Sequence, residues 1–274
     1  MVTFNEIKEI LENTDVEKLP EVIGNYSADT RKGIKKLIEK QELRYKKFLQ
    51  EQQRIENMRI YEEKYNEYGY IAGIDEVGRG PLAGPVVTCA VILPKGARIL
   101  YVNDSKKLSA EKREELYNII MEKAVAVSIG MENNKVIDDI NILQATYKAM
   151  QQSVNNLKVK PDIILNDAVT IPDIDVKQIP IIKGDSKSIT IASASIIAKV
   201  TRDRLMLEYD KLYPEYDFIN NKGYGSKKHI EALKKYGPCP IHRETFIKNF
   251  YLNFLLTFNF VCQFFYCTLT SPAR

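Results

Sequence analysis

Asp75 and Glu76 are adjacent carboxylates that close an apolar run, Tyr70-Ile71-Ala72-Gly73-Ile74, and open directly onto Gly78-Arg79-Gly80-Pro81. An apolar, β-branched run bounded by glycine and proline reads as a strand, so both acids leave a core where the backbone turns. Burying one carboxylate costs several kcal/mol unless it is paired or metal-bound, and a second beside it adds to the cost. A divalent cation is the simplest compensation; the alternative is that either acid caps a turn. Asp167 repeats the pattern after Ile163-Ile164-Leu165-Asn166, at the strand end where ligands collect in open α/β sheets. Asp185 follows a further short run, between Lys183-Gly184 and Ser186-Lys187-Ser188, and taken alone it reads as a turn or helix-cap acid.

The set carries more than its members. Carboxylates converging at one sheet edge, with no His or Cys nearby in sequence, supply hard oxygen ligands suited to Mg²⁺ or Mn²⁺ rather than zinc. Such a site favours in-line displacement at phosphorus, which means metal-assisted phosphodiester hydrolysis. A Ser-His-Asp arrangement competes poorly, because His229 and His242 are the only histidines and both lie in the C-terminal segment. Gly78-Arg79-Gly80 can bring bare backbone close to a ligand and point amide and carbonyl groups at a sugar hydroxyl. RNA alone offers a 2′-OH there. From Asn221 to Phe250 the chain is locally basic, with Lys222, Lys227, Lys228, Lys234, Lys235, Arg243 and Lys248 against Glu231 and Glu244, which suits phosphate binding. Within it Gly223-Tyr224-Gly225 sets an aromatic between glycines, either to stack on a sugar or base or to pack a loop.

These groups need a scaffold. Residues 1–67 read as a helical N-terminal extension. Thr3-Phe4-Asn5-Glu6 fits a capping box for a helix near 3–13, and Asp29 or Thr30 is placed to cap a long helix bearing Ile34, Leu37, Ile38, Tyr45, Phe48 and Leu49 at helical spacing. Residues 68–249 form the candidate catalytic domain, ending in a helical basic segment. Strands are expected at 70–75, 86–93, 124–131, 162–165 and 179–182, and helices at 109–123, 140–157 and 188–210. Strands first, then strands alternating with helices, indicate an α/β fold with a mixed sheet flanked by helices.

Composition bounds the rest. With 274 residues, 45% apolar and 28% charged, the chain suits one globular domain with an appendage. A formal charge of +4 permits a nucleic-acid partner without predicting one. Cys89, Cys239, Cys262 and Cys267 form no CxxC pair and read as reduced thiols. The start, MVTFNEIKEILEN, contains acids and lacks a basic lead into an uninterrupted apolar run, so export is not expected and a cytoplasmic location is. Residues 250–274 form an apolar tail of unassigned role. Its run from Phe250 to Thr270 is uncharged and about as long as the ~20 residues that span a bilayer, but Asn253, Asn259 and Gln263 interrupt it. A helix packed on the core, or a tail foreign to the rest, is the plainer reading, and no membrane role is inferred.

The run Gly73-Ile74-Asp75-Glu76-Val77-Gly78-Arg79-Gly80-Pro81-Leu82-Ala83-Gly84-Pro85-Val86 resembles the opening signature of the bacterial ribonuclease HII family. Asp104-Ser105-Lys106-Lys107-Leu108, Asn141-Ile142-Leu143-Gln144-Ala145-Thr146, Asp167, Lys183-Gly184-Asp185, the stretch Ala192 to Asp203, and Gly223-Tyr224-Gly225 follow in the family's order, over about 70–247. The resemblance implies a ribonuclease H-like fold. It implies Mg²⁺- or Mn²⁺-dependent cleavage of RNA in RNA–DNA hybrids and 5′ of single ribonucleotides embedded in a DNA duplex, leaving 3′-hydroxyl and 5′-phosphate ends. Asp75, Glu76, Asp167 and Asp185 would be the catalytic, metal-binding acids. Gly78, Arg79 and Gly80 would read the 2′-OH, Tyr224 would stack on the following deoxyribose, and Ser193 and Lys199 would sit near phosphate, although both also read as ordinary helix residues. A monomer is expected. The helical extension looks like that of some Gram-positive members and unlike the β-rich domain of ribonuclease HIII, the rival that prefers longer RNA stretches. A catalytically silent hybrid-binding protein is the rival of another class; it would lack one of the acids, and all four are present.

Overall fold

The computed structural model describes residues 2–250, so nearly all of the tail at 250–274 lies outside the described residues. The chain packs as two units, Met1–Arg59 and Ile60–Arg274.

In the first unit, helix α1 (Phe4–Asn13) starts with reciprocal capping. The Glu6 N–H donates to Thr3 Oγ1 at 3.3 Å, and the Thr3 N–H donates to the Glu6 carboxylate at 2.7 Å. After α2 (Leu19–Gly24), the long α3 (Lys32–Met58) begins without a side-chain cap. Asp29 accepts instead from the N–H and guanidinium of Arg31, so the cap expected from Asp29 or Thr30 is not made. Ile7, Leu11, Leu19, Ile23, Ile34 and Leu37 form this unit's core, so α1 and α2, too short to be stable singly, are held by packing their apolar faces on α3.

The second unit opens with α4 (Ile60–Lys64) and builds a five-stranded sheet from β1 (Ile71–Val77), β2 (Val86–Ile92), β3 (Ala126–Glu132), β4 (Ile163–Asp167) and β5 (Lys177–Ile181). The order is β3-β2-β1-β4-β5, antiparallel between β1, β2 and β3 and parallel from β1 to β4 to β5. Three long helices serve it: α5 (Ala110–Lys123), α6 (Asn134–Asn155) and α7 (Ile189–Leu212). Helix α6 starts earlier than the expected 140 and breaks at Asn141, where φ is 67°. The Asn141 side chain accepts from the N–H groups of Leu143 and Gln144, at 3.0 and 3.2 Å, and caps the second segment, the part legible as a helix.

Side chains alternate across a strand. Ala72, Ile74, Ala90, Ile92 and Ile164 pack with Met150 and Val154 of α6 on one face, and Leu165 and Ile181 pack with Ile191 of α7 on the other. Ile60–Glu67, assigned from sequence to the extension, packs with this unit. Glu62 accepts from Ser188 Oγ at 2.5 Å and from the Thr190 N–H at 3.0 Å, tying α4 to the start of α7. Short helices α8 (Phe218–Asn221) and α9 (Lys227–Tyr236) close a further core with Leu82, Met206, Phe218, Leu233 and Ile247. Among the described residues no helix is long and apolar enough to cross a membrane.

Candidate active site

Strand pairing sets the first two acids side by side. β1 and β4 are parallel with Gly73 opposite Leu165 and Ile74 opposite Asn166, so the next residues along, Asp75 two residues before the end of β1 and Asp167 at the end of β4, lie side by side on the α7 face. Asp75 is buried, opposite Cys89 across β2. Burial raises its proton affinity well above the usual carboxylate range; the charges of Glu76 and Asp167 add to this, and a hydrogen bond with Ser195 of α7 opposes it. Ser195 is in turn 3.0 Å from Ser105, Oγ to Oγ.

Glu76 takes the other side of the pleat. Its Oε1 lies 3.3 Å from the Arg79 guanidinium, while Oε2 is buried with no hydrogen-bond partner among the described residues. Burial lifts its proton affinity and Asp167 adds to it, against Arg79 and Lys106. Asp185 arrives through a tight return after β5. Lys183 is left-handed, with φ at 57°, and the Gly184 N–H donates to Asp167 Oδ1 at 2.7 Å. A β-carbon on Gly184 would lie 2.6 Å from Ile191 Cδ1 and 3.5 Å from Asp167 Oδ1, so the turn runs close against the Ile191 methyl and the Asp167 carboxylate. Burial raises the Asp185 carboxyl, with Asp104 and Asp167 reinforcing it and Lys106 and Lys107 opposing.

The donor set fits a hard divalent cation. Asp75, Glu76 and Asp185 each feel a neighbouring carboxylate's charge and are pushed toward the neutral form, and one buried carboxylate oxygen has no partner among the described residues. Among the described residues no three His, Cys, Asp or Glu side chains already stand together at coordination spacing.

The remaining candidates divide. Tyr224 is exposed, and its ring stands 3.8 Å from where a β-carbon on Gly80 would lie, so the glycine loop and the tyrosine share one surface beside the acids. Lys199 lies on α7 in a 2.7 Å ion pair with Asp203, with burial lowering its proton affinity. Ser193 is not brought to the surface: it is fully buried and donates to the Ile189 carbonyl at 2.8 Å, as a helix-interior serine does. A place for Ser193 near phosphate is therefore corrected. Sequence reasoning left Lys106 and Ser195 out of the site. Lys106 is held above its usual proton affinity, since Asp104, Asp75 and Asp185 outweigh its partial burial. The signal available for it was the conjunction of Lys106 with Asp104 in one short motif.

The family model for ribonuclease HII matches residues 72–250, and that for the ribonuclease HII N-terminal domain matches residues 3–66. The chain is 60% identical over 228 residues to the ribonuclease HII of Lachnoclostridium phytofermentans, covering 83% of this chain and 90% of the relative. It is 54% identical over 249 residues to that of Clostridioides difficile, covering 90% and 98%. Among solved structures it is similar to the ribonuclease H2 of Pyrococcus horikoshii, with a TM-score of 0.55 and 28% identity, over 68% of this chain and 99% of that one. The fold is thus ribonuclease H-like, and the chain belongs to the ribonuclease HII family and is a ribonuclease.

Proposed function

We propose that this enzyme hydrolyses the RNA strand of RNA–DNA hybrids and cuts 5′ of ribonucleotides embedded in DNA duplexes, leaving 3′-hydroxyl and 5′-phosphate ends, with Mg²⁺ or Mn²⁺ held by Asp75, Glu76, Asp167 and Asp185. The carrying observation is adjacency: Asp75 and Glu76 run within two residues into Gly78-Arg79-Gly80, and Gly80 borders the exposed Tyr224 ring. A group that can sense a ribose hydroxyl therefore stands directly beside the carboxylate cluster. A bound divalent cation supplies Lewis-acid stabilisation at the scissile phosphate and lowers the proton affinity of an attacking water.

The chain's own residues do the rest. Asp75 and Asp167, fixed by adjacent strands, orient the site from a rigid sheet edge. Lys106, near Asp75 and Asp185, contributes positive charge beside the acids. Gly78, Arg79 and Gly80 offer main chain to the 2′-OH, and Tyr224 offers a face to the next sugar. The lysines flanking Tyr224 attract duplex backbone. The enzyme acts as a cytoplasmic monomer in removing ribonucleotides from DNA during replication and repair.

The test is cleavage of a labelled DNA duplex containing one ribonucleotide, with Mg²⁺, Mn²⁺ or chelator, by wild type and Asp75→Asn. Metal-dependent cutting 5′ to the ribonucleotide, lost in the variant, is expected. Cutting confined to long hybrids would point to ribonuclease HIII-like specificity, and binding without cutting would end the enzymatic reading.

A further inference from the structure

Arg202 of α7 and Arg243 are both completely buried, which for arginine ordinarily requires a carboxylate partner. Every hydrogen bond found for their guanidiniums among the described residues runs to a main-chain carbonyl. Arg243 donates to Gly78 at 2.6 Å, Arg79 at 2.8 Å and Gly84 at 2.8 and 3.0 Å. Arg202 donates to Pro85 at 3.0 Å, Ala83 at 3.1 Å and Lys222 at 2.8 Å. Five of these six carbonyls belong to the loop Gly78–Pro85, and the sixth lies two residues before Tyr224. Burial works against charge on both groups, but a guanidinium stays protonated in proteins, so its charge is delivered to those carbonyls.

The consequence follows from peptide geometry. The described chain has no cis peptide bond, and in a trans peptide the C=O and N–H point in opposite directions. Drawing the Gly78 and Arg79 carbonyls inward to Arg243 turns the N–H groups of Arg79 and Gly80 away from it. Other N–H groups of the clamped peptides are spoken for inside the fold: that of Gly84 donates to Ile241 O at 2.9 Å, and that of Gly223 to Asn221 Oδ1 at 2.7 Å. A cation on the carbonyl end also polarises the peptide, making its N–H a better donor.

We propose that Arg243 and Arg202 are positioning residues for ribose recognition, clamping the carbonyls of the Gly78–Pro85 loop so that the Arg79 and Gly80 amides face outward as preorganised donors to a ribose 2′-oxygen. This rests on the proposed cleavage at ribonucleotides and adds the residues that build the reader. It also accounts for why two arginines are buried without acids, since a carboxylate there would neutralise the polarisation.

Cleavage of a DNA duplex containing one ribonucleotide, with Mn²⁺, is compared for wild type, Arg243→Lys and Arg202→Lys, with an all-DNA duplex of the same sequence as competing inhibitor. Lysine keeps the charge and loses the fork. The expected result is a KM for the ribonucleotide duplex raised about tenfold or more, with the inhibition constant of the all-DNA duplex unchanged. A fall in kcat at constant KM, or equal changes in KM and inhibition constant, would overturn the assignment. If a lysine variant does not fold, proton–nitrogen spectra of the wild type with chelator decide. The Arg79 and Gly80 amides should shift on adding the ribonucleotide duplex and not the all-DNA one, and unmoved amides refute the proposal. A wild type that cuts no ribonucleotide substrate would remove the proposed function and this inference with it, a result distinct from cutting with unaltered KM in the variants.

Discussion

Gly184 donates its main-chain N–H to Asp167 Oδ1 at 2.7 Å, and this bond carries Asp185 to the end of β4 although β5 intervenes in sequence. The left-handed Lys183 before it and the short 3₁₀ turn Gly184–Ser186 aim the chain back toward the acids of β1 and β4. The fourth acid is therefore positioned by a turn, whereas Asp75 and Asp167 are positioned by strand register.

Asp75→Asn is expected to abolish metal-dependent cleavage and to raise the stability of the metal-free protein. Burial and the charges of Glu76 and Asp167 raise the Asp75 carboxyl, so the folded protein holds this proton more tightly than the unfolded chain does. The associated stability is fully present below the ordinary carboxylate range and is lost as pH rises through it toward the folded value. At pH 7 the asparagine should therefore melt above the wild type, by about 2–4 °C for each kcal/mol recovered. Calorimetry with chelator checks this, and a lowered melting point would contradict it.

Mn²⁺ should stabilise the wild type and leave Asp75→Asn nearly unmoved. At a hundredfold excess over Kd the gain is about 2.7 kcal/mol. Because burial raises Asp75, Glu76 and Asp185 together, cation and proton compete for the same oxygens. Mn²⁺ affinity should fall with decreasing pH by more than one power of ten per pH unit in the acid range. Titration calorimetry at several pH values reads that slope; a slope of one proton or fewer would rule out joint ligation.

Gly78→Ala should cost more than Gly184→Ala. Gly78 has φ at +91°, and its β-carbon would lie 2.4 Å from Arg202 Nε and 2.8 Å from the Pro85 carbonyl, which the clamp holds in place. The strain and clash together amount to about 2 kcal/mol or more. At Gly184 the tightest neighbour is the terminal methyl of Ile191, which can yield, so a cost below about 1.5 kcal/mol is expected. Urea unfolding ranks the two.

The buried histidines predict an acid limb in stability. His229 and His242 face each other at 2.9 Å, Nε2 to Nε2, and His229 Nδ1 lies 2.8 Å from the Tyr224 carbonyl. Donation to that carbonyl makes Nδ1 the protonated nitrogen of His229, so its Nε2 accepts from His242 and neither ring has room for another proton. Burial lowers both, with His242 pushed down to about 3. Unfolding therefore takes up protons below about pH 6.5, and stability is lost as pH falls through that value toward the folded ones. His242→Gln should flatten the limb by about one proton, about 1.4 kcal/mol per pH unit, in denaturant melts between pH 6 and 4.5. An unchanged slope would show that the pair does not titrate on unfolding.

Much of the scaffold was legible because its signals are local. Capping at Thr3, the apolar runs of β1, β2 and β4, and the start of α7 each follow from residues a few positions apart. The missed cap at α3 and the early start of α6 were decided by contacts made elsewhere, Arg31 drawing Asp29 away and Asn141 dividing one helix into two segments.

By itself the sequence determined the residue types and their order: acids at strand ends, glycines beside them, a tyrosine among lysines, and hence a family and a class of chemistry. Burial periodicity and turn composition are properties of neighbouring residues, so they can be read without a fold. Only the tertiary structure decided that Asp75 and Asp167 share one face, that Ser193 is sealed in its helix, that Lys106 stands among the acids, and that Arg202 and Arg243 grip the glycine loop from beneath. The physical reason is the same in each case. These are long-range partnerships in which register, burial and electrostatics depend on what the rest of the chain brings within a few ångströms, and arginine has no sequence mark that separates a solvent-facing charge from one spent on main-chain carbonyls.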